Sequence, residues 1–225
     1  MSIMKSIQRP LLLVSLLLVL VISGCATNKP STPKPLPQEM PRSIVVIPPL
    51  NNTSEVNAPY VFLSAISKPL ADKGYYVFPV AVIDKLFKEN GLPTTAEMNN
   101  VPLPKIKEII GADAVLYTNI QRWGQHYQVV NSKAVVHFKL RLVDASTGKM
   151  IWQGSGHAEE NTGHGGNDLK DALIAAVIDQ IVSSLSDKTK DLAHRAVNDA
   201  VNGYGNQLPK GYYRIQYQEQ NVKPF

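Results

Sequence analysis

Cysteine is almost absent from this chain of 225 residues, occurring once, at position 25. An internal disulfide is therefore excluded, as are the paired-cysteine patterns of structural zinc sites. Charge is scarce too, at 18% of residues, with a formal balance of only +5. Two of those charges, Lys5 and Arg9, precede the cysteine, which leaves +3 beyond it. No basic run and no interleaving of aromatic with basic residues occurs, so the sequence offers no nucleic acid a surface to bind. Nucleophile motifs are missing: there is no Gly-x-Ser-x-Gly elbow. The glycine-rich stretch 163–166 lacks the lysine and hydroxyl spacing of a phosphate-binding loop. No cofactor is expected. The one long apolar run, residues 11–22, would make about 18 Å of helix against the ~30 Å of a bilayer core, too short for an ordinary span.

What is present begins with that run. Lys5 and Arg9 stand before it, and Val21-Ile22-Ser23-Gly24-Cys25 closes it with small residues. A basic region, an apolar region and a small-residue cleavage point are the order of a secretion signal, assigned to residues 1–24. The cysteine at its end resembles the lipobox of bacterial lipoproteins, with Val21 and Ile22 where leucine is commonest. That resemblance implies lipidation of Cys25, which becomes the mature N-terminus. Two or three acyl chains hold a protein stably to a leaflet where one holds marginally. Ala26 at the following position implies, by the lipoprotein sorting rule, the outer membrane. The periplasmic face is favoured, with surface exposure as the alternative.

Residues 25–42 form a tether. Pro30, Pro33, Pro35, Pro37 and Pro41 favour extended polyproline II at ~3.1 Å per residue. A folded domain is expected over 43–201. Ile44-Val45-Val46-Ile47 is apolar on both faces, as a buried central strand requires. Asn57 and Pro59 suit the first turn of a helix that Pro69 is expected to kink or split. Thr94 with Glu97 has the spacing of a capping box. From 133 to 143 the residues alternate, with Ala134, Val136, Phe138, Leu140 and Leu142 on one face and Lys133, His137, Lys139 and Arg141 on the other. That is an antiparallel strand with one wet side, followed by a turn at 144–149 and its hairpin partner. A long helix is expected over 168–201, then an aromatic and polar tail, 202–225, without a clear period. The order β-α-β-α-α-β-β-β-α makes an α/β fold with a mixed sheet of about five strands flanked by helices.

Three segments carry a resemblance: 74–80 (Gly-Tyr-Tyr-Val-Phe-Pro-Val), 111–117 (Gly-Ala-Asp-Ala-Val-Leu-Tyr), and the hairpin running from Val143-Asp144 through Thr147-Gly148 to Ile151-Trp152. They resemble a family of bacterial outer-membrane lipoproteins of unknown function. The resemblance implies a fold similar to the TolB N-terminal domain and the periplasmic domain of the curli-secretion lipoprotein CsgG. The short hairpin turns differ from the long membrane-inserting hairpins of the latter, which argues against a pore made by this chain alone.

The chemistry points to binding rather than catalysis. His157, Glu159, Glu160, His164 and Asp168 are metal-ligand types in one region, but His-x6-His matches no standard zinc spacing. A metal-dependent envelope hydrolase using His157 and His164 is the enzymatic alternative, and a small-ligand carrier using the sheet face is another. The preferred reading is a non-enzymatic, membrane-anchored binding or assembly module, with other envelope proteins or an export apparatus as partners. Trp123, Tyr127, Tyr212, Tyr213 and Tyr217 are its candidate partner-binding residues, because Trp and Tyr favour interfaces. Leu192 joins them: with Ala196 and Val197 it forms an apolar stripe that needs cover from the tail or a second copy. Symmetric pairing makes a homo-oligomer the expectation.

Overall fold

Two adjacent prolines decide how the first strand ends. The computed structural model describes residues 40–127, 132–161 and 178–221. These lie in one compact unit, Leu36–Phe225. In it, β1 (Ser43–Val46) and β2 (Leu50–Asn51) both pair in parallel with β4 (Ala114–Tyr127), at successive places along it. Pro48 and Pro49 between them have no N–H to give the ladder, so one strand becomes two. β1 also pairs in parallel with β3 (Tyr76–Val77). β4, β5 (Ser132–Asp144) and β6 (Met150–Asn161) form an antiparallel meander. The sheet order is β3-β1-β4-β5-β6, with β2 alongside β4. The sheet is mixed and six-stranded, an α/β fold as expected, with the two-residue β2 as the addition.

The two faces of the sheet are covered differently. On the inner face, α1 (Ala58–Asp72) and α5 (Ile178–Asn202) pack on each other, and α5 packs on β5 and β6. Phe62 of α1 meets Phe138 of β5 edge to face at 5.1 Å. The inner-facing residues of β5, from Ala134 to Leu142, are all buried, as their alternation requires. On the outer face a smaller core joins Val45, Ile47 and Val115 to Ile83 and Phe87 of α2 (Val80–Glu89), Met98 of α3 (Thr95–Asn99) and Ile106 of α4 (Leu103–Ile110). Farther along that face, Arg122, Lys139, Arg141, Gln153, Ser155 and His157 are exposed.

Several local expectations meet their structure here. Thr94 and Glu97 form the reciprocal capping box of α3. The turn after β5 is tied by Asp144, whose Oδ1 accepts from the N–H groups of Ser146 and Thr147. Asn57 stands at the N-cap of α1 but makes no side-chain cap, and Pro59 lies in the first turn. Pro69 does not split the helix, which continues to Asp72. It sits in the last turn, where one missing N–H removes a single bond, and the end is closed by Lys73 and Gly74 donating to Pro69 and Ala71 carbonyls.

The apolar stripe on α5 has its cover within the chain. Leu192, Ala196 and Val197 are fully buried, in one cluster with Phe62, Phe138 and Leu208. This corrects the expectation that Leu192 awaits a partner: sheet, α1 and tail supply the surface, and the stripe gives no reason for a second copy. The tail is also more ordered than its lack of period suggested. It forms α6 (Tyr212–Asn221) and is stitched back by Gly211 N–H to Lys73 O at 2.8 Å, Tyr213 N–H to Gly74 O at 3.1 Å and Leu208 N–H to Val201 O at 3.0 Å. Gly74 permits this approach. Its φ is +92°, and a Cβ there would lie 2.4 Å from the Arg214 backbone nitrogen.

Candidate functional site

Strand register assembles the open part of the outer face into rows. Tyr117, Arg141 and Gln153 lie side by side on β4, β5 and β6, and Asn119, Lys139 and Ser155 form the next row. A register shift between Ile120 and Arg122 inserts one residue into β4. Such a bulge re-aims the residues beyond it, and here it brings Arg122 beside His137 and His157. Three cations thus stand on one face at successive positions.

An open groove of about 870 Å3 runs over these rows. Tyr117, Asn119, Lys139, Arg141, Gln153 and Ser155 line it, Asn99 and Asn100 enter from the end of α3, and Asp199 and Tyr204 from the end of α5. The Arg141 guanidinium lies 5.3 Å from the centre of the Tyr117 ring, a cation–π distance. Asn119 accepts from Asn52 at 3.1 Å, and Asn99 donates to the Pro48 and Thr95 carbonyls, which fixes both amides. Thr118 also lines the groove; its hydroxyl is buried and has no hydrogen-bond partner among the described residues.

Cations outnumber the carboxylates Asp199 and Glu159 on this face. Among the described residues, Arg122, Lys139 and Arg141 form no ion pair, whereas the helix-borne Lys68, Lys85, Lys88, Lys105 and Lys107 each sit beside a carboxylate. His137 registers the excess. Partial burial holds its pKa below the usual imidazole value, helped by the charges of His157, Arg122 and Lys139. Burial raises the Tyr117 phenol, with Arg141 opposing. The face therefore offers cations, amides and a phenol for recognition.

The ligand types near residue 157 are divided by the strand. His157 and Glu159 share the outer face, with 4.0 Å between imidazole and carboxylate, while Glu160 turns away to pair with Arg195 at 2.6 Å. Among the described residues no group of three His, Cys, Asp or Glu side chains could hold a metal ion. His164 and Asp168 lie outside the described residues.

The aromatic candidates part company. Trp123, a candidate for partner binding, is instead buried on the inner face, 7% accessible, because the bulge sets it among the core residues. Tyr127 closes β4, and its side chain is outside the described residues, as is Cys25. Tyr212 is half-buried beneath the Arg42 guanidinium, 4.3 Å from its ring centre. Tyr213 and Tyr217 are exposed. The groove itself escaped the sequence reading, although its Lys139 and Arg141 stood on the strand's wet side. Their convergence with Tyr117 and Gln153 depends on a register that no local pattern states. Among the described residues no helix is long and apolar enough to cross a membrane.

Comparison with known proteins agrees with the sequence resemblance. The family model "Putative lipoprotein GNA1162-like" matches residues 35–211. "Putative lipoprotein NMB1124/NMB1162" of Neisseria meningitidis serogroup B is 37% identical over 207 residues, covering 91% of this chain and 96% of the relative. The crystal structure of lipoprotein GNA1162 from Neisseria meningitidis superposes with a TM-score of 0.52 at 40% identity, over 64% of this chain and 99% of that one. The likeness to TolB and CsgG rests on the sequence motifs alone. The chain belongs to the GNA1162-like lipoprotein family.

Proposed function

We propose that this lipoprotein is a non-enzymatic binding module, anchored through Cys25 to the periplasmic face of the outer membrane, that docks an acidic partner of the envelope on its open sheet face. One observation carries the reading: Arg122, Lys139 and Arg141 stand unpaired among the described residues, on a face where Asp199 at the groove and Glu159, beside Lys133 and His157, are the carboxylates. Unpaired cations at a surface cost little while solvated, and they steer and orient an anionic partner. The rows are held by paired strands, so the charges are spaced before the partner arrives and little ordering entropy is lost.

A photoreactive residue at Ser155 in intact cells tests the proposal. Crosslinks to an envelope component are expected from Ser155 and are lost in the Lys139→Glu/Arg141→Glu background at unchanged abundance. Crosslinks that persist through the charge reversal contradict it. The volume of the groove, within the ~300–1,000 Å3 of ordinary ligand pockets, favours as a second reading a small polar ligand carried on the same residues. A crosslinked adduct of low mass would separate that reading from the first.

A further inference from the structure

A second surface lies where the tail returns to the sheet. α6 starts at the end of α1, tied to Lys73 and Gly74, with Arg42 over Tyr212 and Tyr213 edge to face with Tyr212 at 5.4 Å. Tyr213 is half exposed, and Arg42, Lys210 and Arg214 are exposed. Lys73 adds a fourth cation. It donates to the Gln207 amide at 3.2 Å, and Lys210 to the Gln218 amide at 3.3 Å. Neither amide neutralises a charge, and among the described residues no carboxylate forms an ion pair with any of the four charged groups; Asp113, paired with Lys107, accepts only the Arg42 backbone N–H. No Asp or Glu occurs anywhere from residue 202 to 218. Lys73 feels the crowding: partial burial, then the charge of Lys210, hold its pKa below the ordinary lysine value.

The position of this cluster says what it faces. Arg42 lies two residues from Met40, where the described chain begins, and only residues 26–39 separate Met40 from Cys25. Even fully extended, that stretch reaches roughly 50 Å. A lipidated Cys25 therefore keeps the cluster close to its own bilayer at high effective concentration, so weak contacts suffice. Tyrosines with an apolar ring and polar tip favour the headgroup layer, and basic side chains favour anionic headgroups. We propose that the Arg42, Lys73, Lys210, Tyr212, Tyr213 and Arg214 surface docks on anionic phospholipid headgroups of the leaflet that holds the acyl chains, fixing the orientation of the domain. This stands apart from the partner face on β4–β6.

The mature lipidated chain in vesicles tests it, because Cys25 is the only native cysteine and lipidation blocks its thiol. A fluorophore on Gln218→Cys, next to the cluster, is compared with one on Lys149→Cys in the β5–β6 turn, using a headgroup-linked quencher. In phosphatidylcholine containing phosphatidylglycerol, quenching at 218 is expected to exceed that at 149 several-fold. In pure phosphatidylcholine or high salt, the difference is expected to vanish. Each Lys or Arg near such a surface contributes about a factor of five, so Arg42→Gln/Lys210→Gln/Arg214→Gln should lower the docked-to-free ratio roughly a hundredfold. Lys73→Gln/Lys210→Gln leaves the Arg42–Tyr212 contact in place and should still lower it at least tenfold, with Arg214→Lys unchanged. Equal quenching at both positions, quenching indifferent to lipid charge, or protection of 218 that grows with protein density would each overturn the proposal, the last by giving the surface to a second copy.

Discussion

Substituting Gly156→Ala probes a close approach between sheet and helix. Gly156 lies on β6 facing α5, and a Cβ built there would be 2.2 Å from Cζ and 2.6 Å from Cε2 of Phe138, and 2.7 Å from the Ala196 carbonyl oxygen. Ordinary contacts at such positions lie between 3.4 and 4 Å, so the ring and the helix must each retreat by about an ångström. Phe138 has little room to do so, because Phe62 stands against it at 5.1 Å. The backbone at 156 is not in the left-handed region, so the cost is packing alone. Overpacking of this kind costs about 1–3 kcal/mol, and displacement of a helix backbone places it near the upper end. In a domain of this size, 3 kcal/mol lowers the melting temperature by about 6–12 °C. Thermal unfolding of the detergent-solubilised chain, followed by circular dichroism, measures it. Shortening the ring with Phe138→Leu removes the clashing atoms, so Gly156→Ala/Phe138→Leu should be less destabilised than the sum of the single changes by about 1 kcal/mol or more. A Gly156→Ala protein as stable as the parent, or strictly additive with Phe138→Leu, would refute the seat of α5 on β5 and β6.

Thr118→Val keeps the branched shape on β4 and removes a buried hydroxyl that has no partner among the described residues; it should raise stability by about 1 kcal/mol in urea unfolding. Tyr75→Phe deletes the 2.9 Å bond from its hydroxyl to the Pro209 carbonyl and should cost about 1 kcal/mol while increasing amide exchange across α6. The folded-state pKa of His137 is depressed, first by burial and then by His157, Arg122 and Lys139. The unfolded chain therefore binds this proton more readily, so stability present above the ordinary value of 6.5 falls as pH drops through it towards the folded value. His137→Gln should flatten that part of the pH profile, and an unchanged slope would contradict the assignment.

Much of this architecture is legible locally. The Thr94–Glu97 box, the alternation from Ala134 to Leu142 and the Asp144 turn need only near neighbours, and each appears as its pattern requires. Distant neighbours account for what was not legible. Leu192 looks uncovered on a helix considered by itself because its cover comes from α1 and β5, far away in the chain. The tail shows no apolar period because backbone bonds to Lys73 and Gly74 and the Tyr75 hydroxyl place it, and none of these requires an apolar stripe. Trp123 comes just after a one-residue bulge, and a slip of one position exchanges the faces of a strand. For the same reason the cations of the open face could be read as wet without being read as a set.

The central claim is that the open face of β4–β6 holds an acidic envelope partner by charge. Its most direct test compares the in-cell crosslinking yield from Ser155 in the parent, in Lys139→Glu/Arg141→Glu, and in Lys68→Glu/Lys105→Glu, which makes the same change of charge on helices away from the groove. A yield that collapses more than tenfold in the first variant and holds in the second, at equal abundance and lipidation, is the predicted result. Equal yields in all three, or equal losses in both variants, would contradict the account.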